Sequence, residues 1–479
     1  KKSKELTNTY IKNKELNKLF ERNSYDPQPD GVYYHSEKNG NQTSVKICGY
    51  LSVEAITHDN NSRSFGRYLK FKNTLNVINY CYMPMSTLVD KSGAAHKELV
   101  DKGLYIENDC FNHVIKYINS ASNLPSVRIT SKIGWHNDSF VFADKTVGKQ
   151  DIFYQSNSFN ISNPHGELGT LEDWQQNISR YCVGNHLLMF AVSISFSGAL
   201  LKLCEQPIGI GFHIFGASSK GKSTIGHVAA SVFGNPTSYM RSWRATSNGL
   251  EGVAVAYNDS VLVLDEISQI HPKELGAAIY MLINGAGRSR ADKSGEAKNT
   301  KQWQIAVLSN GEKSVATHSA EEEEDINAGQ MIRLLNIPLW GKFGAFDSLH
   351  DLTSGEELAK KLASSYLKNH GVAGIKWVED LLSHREDYSE MLDVMIDDFK
   401  NEIDQYSLSL TSQDMRALNS FAVVALAGDL ATAFGITKWK PRQSLLSAVQ
   451  CFLNYSKPPM RRHTDTLFSH SDIIQILTN

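Results

Sequence analysis

Apolar residues are spaced in three different ways along this chain. Between residues 31 and 148 they gather in short runs (31–35, 44–51, 66–72, 76–85 and 139–143) divided by Gly and Asn turns, with helical spacing only near 111–118. Short runs bounded by turn residues predict strands, so residues 31–164 are expected to form an α+β domain. Residues 165–205 read as helical. Their most apolar part, 186–201, contains three serines and a glycine and is short for a membrane span. It is predicted to be a helix buried against the core that follows. From there to residue 346, apolar strands alternate with amphipathic helices, the pattern of a parallel α/β sheet. After Gly355 the period is helical throughout, over 356–369, 374–382, 388–406, 412–434 and 443–453. Residues 1–30 are polar and end in Asp26-Pro27-Gln28-Pro29-Asp30, read as a boundary. The expected division is therefore 1–30, 31–164, 165–346 and a helical region 347–479.

One segment adds chemistry to this outline. Gly216-Ala217-Ser218-Ser219-Lys220-Gly221-Lys222-Ser223 fits the pattern Gly-x-x-x-x-Gly-Lys-Ser. An apolar run, 211–215, precedes it, and a helical stretch beginning at Thr224 and ending at Gly234-Asn235-Pro236 follows. Strand, glycine loop and helix is the context in which this motif cradles phosphate. The backbone N–H groups and the helix N-terminus supply positive potential. Lys222 is expected to reach the β- and γ-phosphates of ATP, and the Ser223 hydroxyl to ligate Mg2+. Further on, Val261-Leu262-Val263-Leu264-Asp265-Glu266 is an apolar run closed by two carboxylates. On a buried parallel strand Asp265 would lie beside the glycine loop and hold Mg2+, while Glu266 would polarise the attacking water.

Composition limits the alternatives. A chain of 479 residues exceeds one compact core. Its formal net charge of -2 excludes a generally basic surface, so any nucleic-acid contact must be local. The six cysteines are scattered without a Cys-x-x-Cys pair, which argues against a zinc ribbon or disulfide framework and fits a cytoplasmic location. The chain opens on Lys1-Lys2 without methionine and shows no signal peptide, and is read as trimmed at its N-terminus.

In their order, residues 216–224, 243–251, 261–266, 308–312 and 328–333 resemble the helicase-like AAA+ proteins of phages and mobile genomic islands. That family includes the staphylococcal cassette-chromosome helicases and is similar to the minichromosome maintenance helicases. Gly134-Trp135-His136 and residues 416–434 also match its general pattern, so the resemblance spans roughly residues 45–455. It implies a P-loop AAA+ core with an N-terminal α+β domain and a C-terminal helical region. It also implies a hexameric, ATP- and Mg2+-dependent DNA helicase acting on single-stranded or forked DNA, with replication proteins of the mobile element as partners and no membrane. Carried over by position, Asn310 ends the next apolar strand as the sensor of the γ-phosphate. Arg333 is the arginine finger for a neighbouring subunit, and Arg416 matches the lid arginine. Residues 285–298 fall where such rings place a pore hairpin, so Arg288, Arg290, Lys293 and Lys298 are expected to meet DNA phosphates. The acidic run Glu321-Glu322-Glu323-Glu324-Asp325 would then face away from the pore.

Two other readings fit the same motifs. A regulatory or protein-remodelling AAA+ ATPase, for instance in phage defence, would more often expose an aromatic-hydrophobic pair than Arg288-Ser289-Arg290 in its pore loop. A nucleotide-binding module without turnover is opposed by the presence of both Asp265 and Glu266.

Overall fold

The computed structural model describes residues 23–456 apart from 39–40, 60–62, 150–151, 155–163, 288–299, 323–331, 385 and 407–409. Strands β1 (Asn23–Gln28), β2 (Gly31–Lys38) and β3 (Asn41–Cys48) form an antiparallel meander. Pro29 and Asp30, expected as a boundary, are instead the two-residue turn between β1 and β2. Proline presets the turn and Asp tolerates it, so the same residues serve a hairpin as readily as a linker.

The chain continues through β4 (Leu51–His58), β5 (Gly66–Lys72), β6 (Ile78–Pro84) and β7 (Ser126–Thr130). It then makes a small antiparallel sheet from β8 (Gly134–His136), β9 (Ser139–Val141) and β10 (Thr146–Gly148), and returns as β11 (Ile152–Tyr154). A five-stranded sheet results, ordered β11-β7-β4-β5-β6. Leu69, Phe71, Cys81 and Met83 point to one face and are buried with Leu99 of helix Ala94–Asp101 and Val114 and Ile118 of helix Phe111–Ser120. The alternate residues of β5 and β6 form the opposite face, as the two-residue period of a strand requires.

Two compact units divide the chain: one up to Thr130 with β11, the other comprising the rest. The expected first domain, 31–164, thus lacks β8–β10. The reason is packing. Trp135, Phe140 and Phe142 belong to the core of the second unit, where the Trp135 indole N–H donates to the Ala199 carbonyl at 2.7 Å and its backbone N–H to Asp259 Oδ2 at 2.8 Å. A side chain at Gly134 (φ 96°) would come within 2.2 Å of that carboxylate oxygen, so only glycine lets the two segments meet.

The second unit is built on five parallel strands, β12 (Ile210–Phe215), β13 (Arg241–Ser242), β14 (Ser260–Asp265), β15 (Ile305–Gly311) and β16 (Leu335–Pro338), in the order β13-β14-β15-β12-β16. Burial on both faces explains the near-continuous apolar sequences of the central strands β12, β14 and β15. Helix His186–Leu203 is long and apolar enough to pass for a membrane span, yet 83% of that window is buried inside the protein. Its serines are satisfied there: Ser193 donates to the Met189 carbonyl and Ser195 to the Ala229 carbonyl, each at 2.9 Å. A Cβ at Gly198 would lie 2.4 Å from the Ser260 carbonyl, so the helix crosses β14 with almost no space between the backbones. The expectation of a buried core helix holds.

The predicted C-terminal helices form as Gly355–Tyr366, Val372–His384, Tyr388–Asp404, Ser412–Ala433 and Gln443–Ser456. They have no core of their own. Phe421 packs against Phe190 and Phe212 with ring centroids 5.3 and 5.0 Å apart, which joins helix 412–433 to β12 and makes one continuous core.

Burial holds two histidines of this core neutral. His165, surrounded by the rings of Phe142, Phe233 and Tyr239, is pushed down to about 3, and His213 on β12 to about 4. An unfolded imidazole binds a proton near pH 6.5. Below that pH the unfolded chain therefore holds more protons than the fold, and stability falls as pH falls, by up to about 1.4 kcal/mol per pH unit for each group. Asp429, pushed up to about 6 by burial, opposes this over roughly pH 4–6, since the fold keeps a proton that the unfolded carboxylate has released. Thermal unfolding should show a net loss of stability between pH 7 and 5, and His213→Gln should show a smaller loss. An equal loss in both proteins would contradict the assignment to His213.

Candidate nucleotide-binding site

The C-terminal ends of β12, β14, β15 and β16 lie along one edge of the parallel sheet, where α/β folds place their ligands. Phe215 ends β12 and is paired with Gly311 on one side and Pro338 on the other. The glycine loop follows at once. Ser219 (φ 56°) and Gly221 (φ 91°) both take the left-handed conformation, and Lys222 begins the helix Lys222–Ala230. Such backbone turns N–H groups toward a common centre at the start of a helix, the arrangement that receives anions.

Lys222 is buried, and its ammonium donates to the carbonyls of Gly216 (2.8 Å) and Ala217 (2.7 Å). Burial lowers its pKa, while Glu312, Glu266 and Asp265 act to raise it. Ser223 donates to Asp265 Oδ1 at 3.5 Å. The two oxygen ligands expected for Mg2+, forty-two positions apart in sequence, are therefore neighbours. A hydroxyl and one carboxylate suit Mg2+, which keeps most of its water and takes few protein ligands. Among the described residues there is no denser cluster of His, Cys, Asp or Glu that could hold a metal.

Glu266 has φ 56°, uncommon for a residue with a side chain. Its backbone N–H donates to Asn310 Oδ1 at 3.2 Å, and its carboxylate accepts from the Ser268 hydroxyl at 2.7 Å. Asn310 is buried and lies on β15, between β12 and β14. The sheet order thus brings together Lys222, Ser223, Asp265, Glu266 and Asn310.

Two arginines fall elsewhere. Arg333 precedes β16, whose Leu335 pairs with Phe212, so it stands at the N-terminal end of the sheet. Five residues separate its level from Pro338 beside the loop, about 17 Å along a strand. Its Nε donates to Asn284 Oδ1 at 2.9 Å, and its guanidinium lies 4.5 Å from the centre of the Tyr280 ring. Arg416 is exposed near the start of helix 412–433. One turn later Asn419 donates to Gln206, and Gln304 donates to the Gln206 carbonyl; both glutamines precede strands, again at the far edge. Neither arginine meets the loop of its own chain, since each sits at the opposite ends of the strands. Arg288, Arg290, Lys293 and Lys298 lie outside the described residues. At the base of their segment Ala286 is bridged to Gln302, and the Gly287 N–H donates to the Lys301 carbonyl at 2.9 Å. Of the acidic run, Glu321 pairs with Lys313.

Sequence reading missed two supports of the site. Residues 339–346 back the glycine loop: Leu339 donates to the Phe215 carbonyl and Ala345 to the Lys220 carbonyl, both at 2.8 Å. Gly344 (φ 82°) allows this approach, because a Cβ there would be 2.6 Å from the Lys220 carbonyl oxygen. The spacing Gly341-x-x-Gly344 between aromatic residues was its only signal. The second support is a buried hydrogen-bond chain. Trp243 Nε1 donates to Ser309 Oγ (2.9 Å), Ser309 to His213 Nδ1 (2.9 Å), and His213 Nε2 to the Lys313 carbonyl (2.9 Å). It fixes the neutral imidazole with its proton on Nε2 and ties β15 to β12 directly beneath Asn310.

Against known proteins, no curated protein matches the chain. Among solved structures it is similar to one titled "SCCmec type IV Cch - active helicase", with a TM-score of 0.67 and 19% identity, covering 90% of this chain and 77% of that one. The resemblance to the cassette-chromosome helicases therefore extends to the fold. The family described as "Domain of unknown function (DUF927)" matches residues 24–302, more than half of the sequence. That span takes in the glycine loop, both carboxylates and the β8–β9 segment anchored by Gly134 and Trp135, and the chain belongs to the DUF927 family.

Proposed function

We propose that this protein is an ATP-hydrolysing DNA helicase or translocase of AAA+ type, working as a ring of like subunits on the DNA of a mobile element. The observation that carries the reading is the meeting of Lys222, Ser223, Asp265, Glu266 and Asn310 at one sheet edge. Each has a task that phosphoryl transfer needs. On binding ATP, Lys222 would exchange the carbonyls of Gly216 and Ala217 for phosphate oxygens. Ser223 and Asp265 would hold Mg2+, which when bound neutralises charge on the phosphates. Glu266 would accept a proton from the attacking water, and Asn310 would keep Glu266 in place through its backbone N–H. Loss of a positioned general base costs about 10²–10⁴-fold in rate. Glu266→Gln should therefore retain ATP binding while hydrolysis falls by about that factor. Turnover equal to that of the unaltered protein would reject Glu266 as the base.

Arg333 gives the reading its ring. Being about 17 Å from its own loop along the strand direction, it can serve only the nucleotide of an adjacent subunit, and rings are the closed form of such head-to-tail contacts. Arg333→Ala doped into unaltered protein should depress ATPase more than in proportion to its fraction. Full turnover by a strictly monomeric protein would overturn the arrangement.

The glycine at 344 tests the backing of the loop. Gly344→Ala should raise KM for ATP several-fold with little change in helix content, because the displaced group is the Lys220 carbonyl. An unchanged KM would remove residues 339–346 from the site.

A further inference from the structure

The face of the first unit's five-stranded sheet that lies opposite its two helices carries a row of aromatic rings, half-buried at Tyr68 and exposed at Tyr80 and Phe153. Tyr68 and Tyr80 on the neighbouring strands β5 and β6 are stacked, with ring centroids 5.5 Å apart and planes 11° from parallel. Phe153 of β11 lies 5.0 Å from Tyr68 on the other side. Lysines alternate with them. Lys70 pairs with Tyr80 across the strands, its ammonium 6.0 Å from the ring centre, and Lys72 stands 5.5 Å from the ring of Tyr50. The helices that bury Leu69 and Phe71 pack on the opposite face. Tyr80 is 50% exposed, Ile78 47% and Phe153 36%. Isolated exposed apolar residues need no explanation, but adjoining rings with interleaved cations on one sheet face are a different case.

We propose that this face binds single-stranded DNA, its bases stacking on Tyr80, Tyr68 and Phe153 and its phosphates meeting Lys70 and Lys72. Flat rings at strand spacing suit unstacked bases, which expose their π-faces as a duplex does not. The lysines complement a polyanion and disfavour a second copy of the same lysine-bearing face. Glu54, which acts electrostatically on Tyr68, and Asp59, which acts on Tyr82 of the same face, are acidic groups beside the platform and limit how closely phosphates approach it. The proposal deepens the helicase reading by naming the form of DNA held outside the ATPase unit, and rests on that reading for DNA rather than RNA.

Fluorescence anisotropy with an oligothymidylate of about 20 nucleotides tests it, since base–aromatic stacking contributes about five- to a hundredfold per base. In the full chain, Tyr80→Ala with Phe153→Ala should raise Kd about tenfold or more. Tyr80→Phe, which keeps the ring, should change it less than about twofold, and ATPase without DNA should be unaltered in both. Lys70→Glu with Lys72→Glu should reduce the salt dependence of binding by about one to two released ions. Photocross-linking to a bromodeoxyuridine strand should label peptides containing Tyr80 or Phe153. Unchanged affinity in the double variant, or an equal loss in Tyr80→Phe, would overturn the proposal. So would tenfold tighter binding of an oligouridylate, or a shift in oligomeric state with DNA binding intact. The two readings separate cleanly. Tyr80-dependent binding by a protein without ATPase would leave the platform and remove the motor, whereas DNA-stimulated ATPase indifferent to the platform would do the reverse.

Discussion

The hydrogen bond from the Glu266 N–H to the Asn310 side chain joins two strand ends that the chain connects only through a long excursion. It exists because β15 is inserted between β12 and β14. Were β14 adjacent to β12, the carboxylate strand would border the glycine loop with no amide between them. The bond also supports a residue in an uncommon conformation: a side-chain-bearing residue at φ 56° carries about 1–3 kcal/mol of local strain and persists where its surroundings fix it. Asn310 on one side and Ser268 on the other are those surroundings. A change in the position of the Asn310 amide would thus be felt at the Glu266 backbone.

The layer beneath shows how that amide is held. Ser309, the residue before Asn310, points the opposite way and is gripped between the Trp243 indole and the His213 imidazole. A buried polar chain of this kind is costly unless every member is satisfied, and here the donors and acceptors match when the imidazole is neutral. The loop is supported differently, by backbone. Ala345 and Leu339 use main-chain N–H groups, so close approach at Gly344 matters more there than side-chain identity.

Much of this was legible in the sequence, for physical reasons. The glycine loop announces itself because its residues are required by backbone geometry, and β14 because burial on both faces demands an unbroken apolar run. Helix 186–203 was readable as core from its serines and glycine. What stayed hidden depends on contacts between distant segments. Nothing local marks residues 131–150 as belonging with the second unit, since Gly134 and Trp135 matter only beside Asp259 and Ala199. The Pro29-Asp30 turn and a linker share one composition. The placement of Arg333 at the far sheet edge needed the pairing of β16 with β12, and that of Arg416 needed Asn419 against Gln206. The aromatic face on β5, β6 and β11 was invisible because Phe153 joins it from a strand far beyond Tyr80 in the sequence.

The detour through β8–β10 has a practical consequence. Because β7 and β11 are neighbours in one sheet but flank twenty residues that fold elsewhere, the first unit cannot be excised by a single cut. A fragment ending at Thr130 would lose β11, leaving β7 as a bare edge strand open to pairing with other chains. Isolating this unit would require splicing a short linker from β7 directly to Ile152, with the intervening three-stranded sheet left behind.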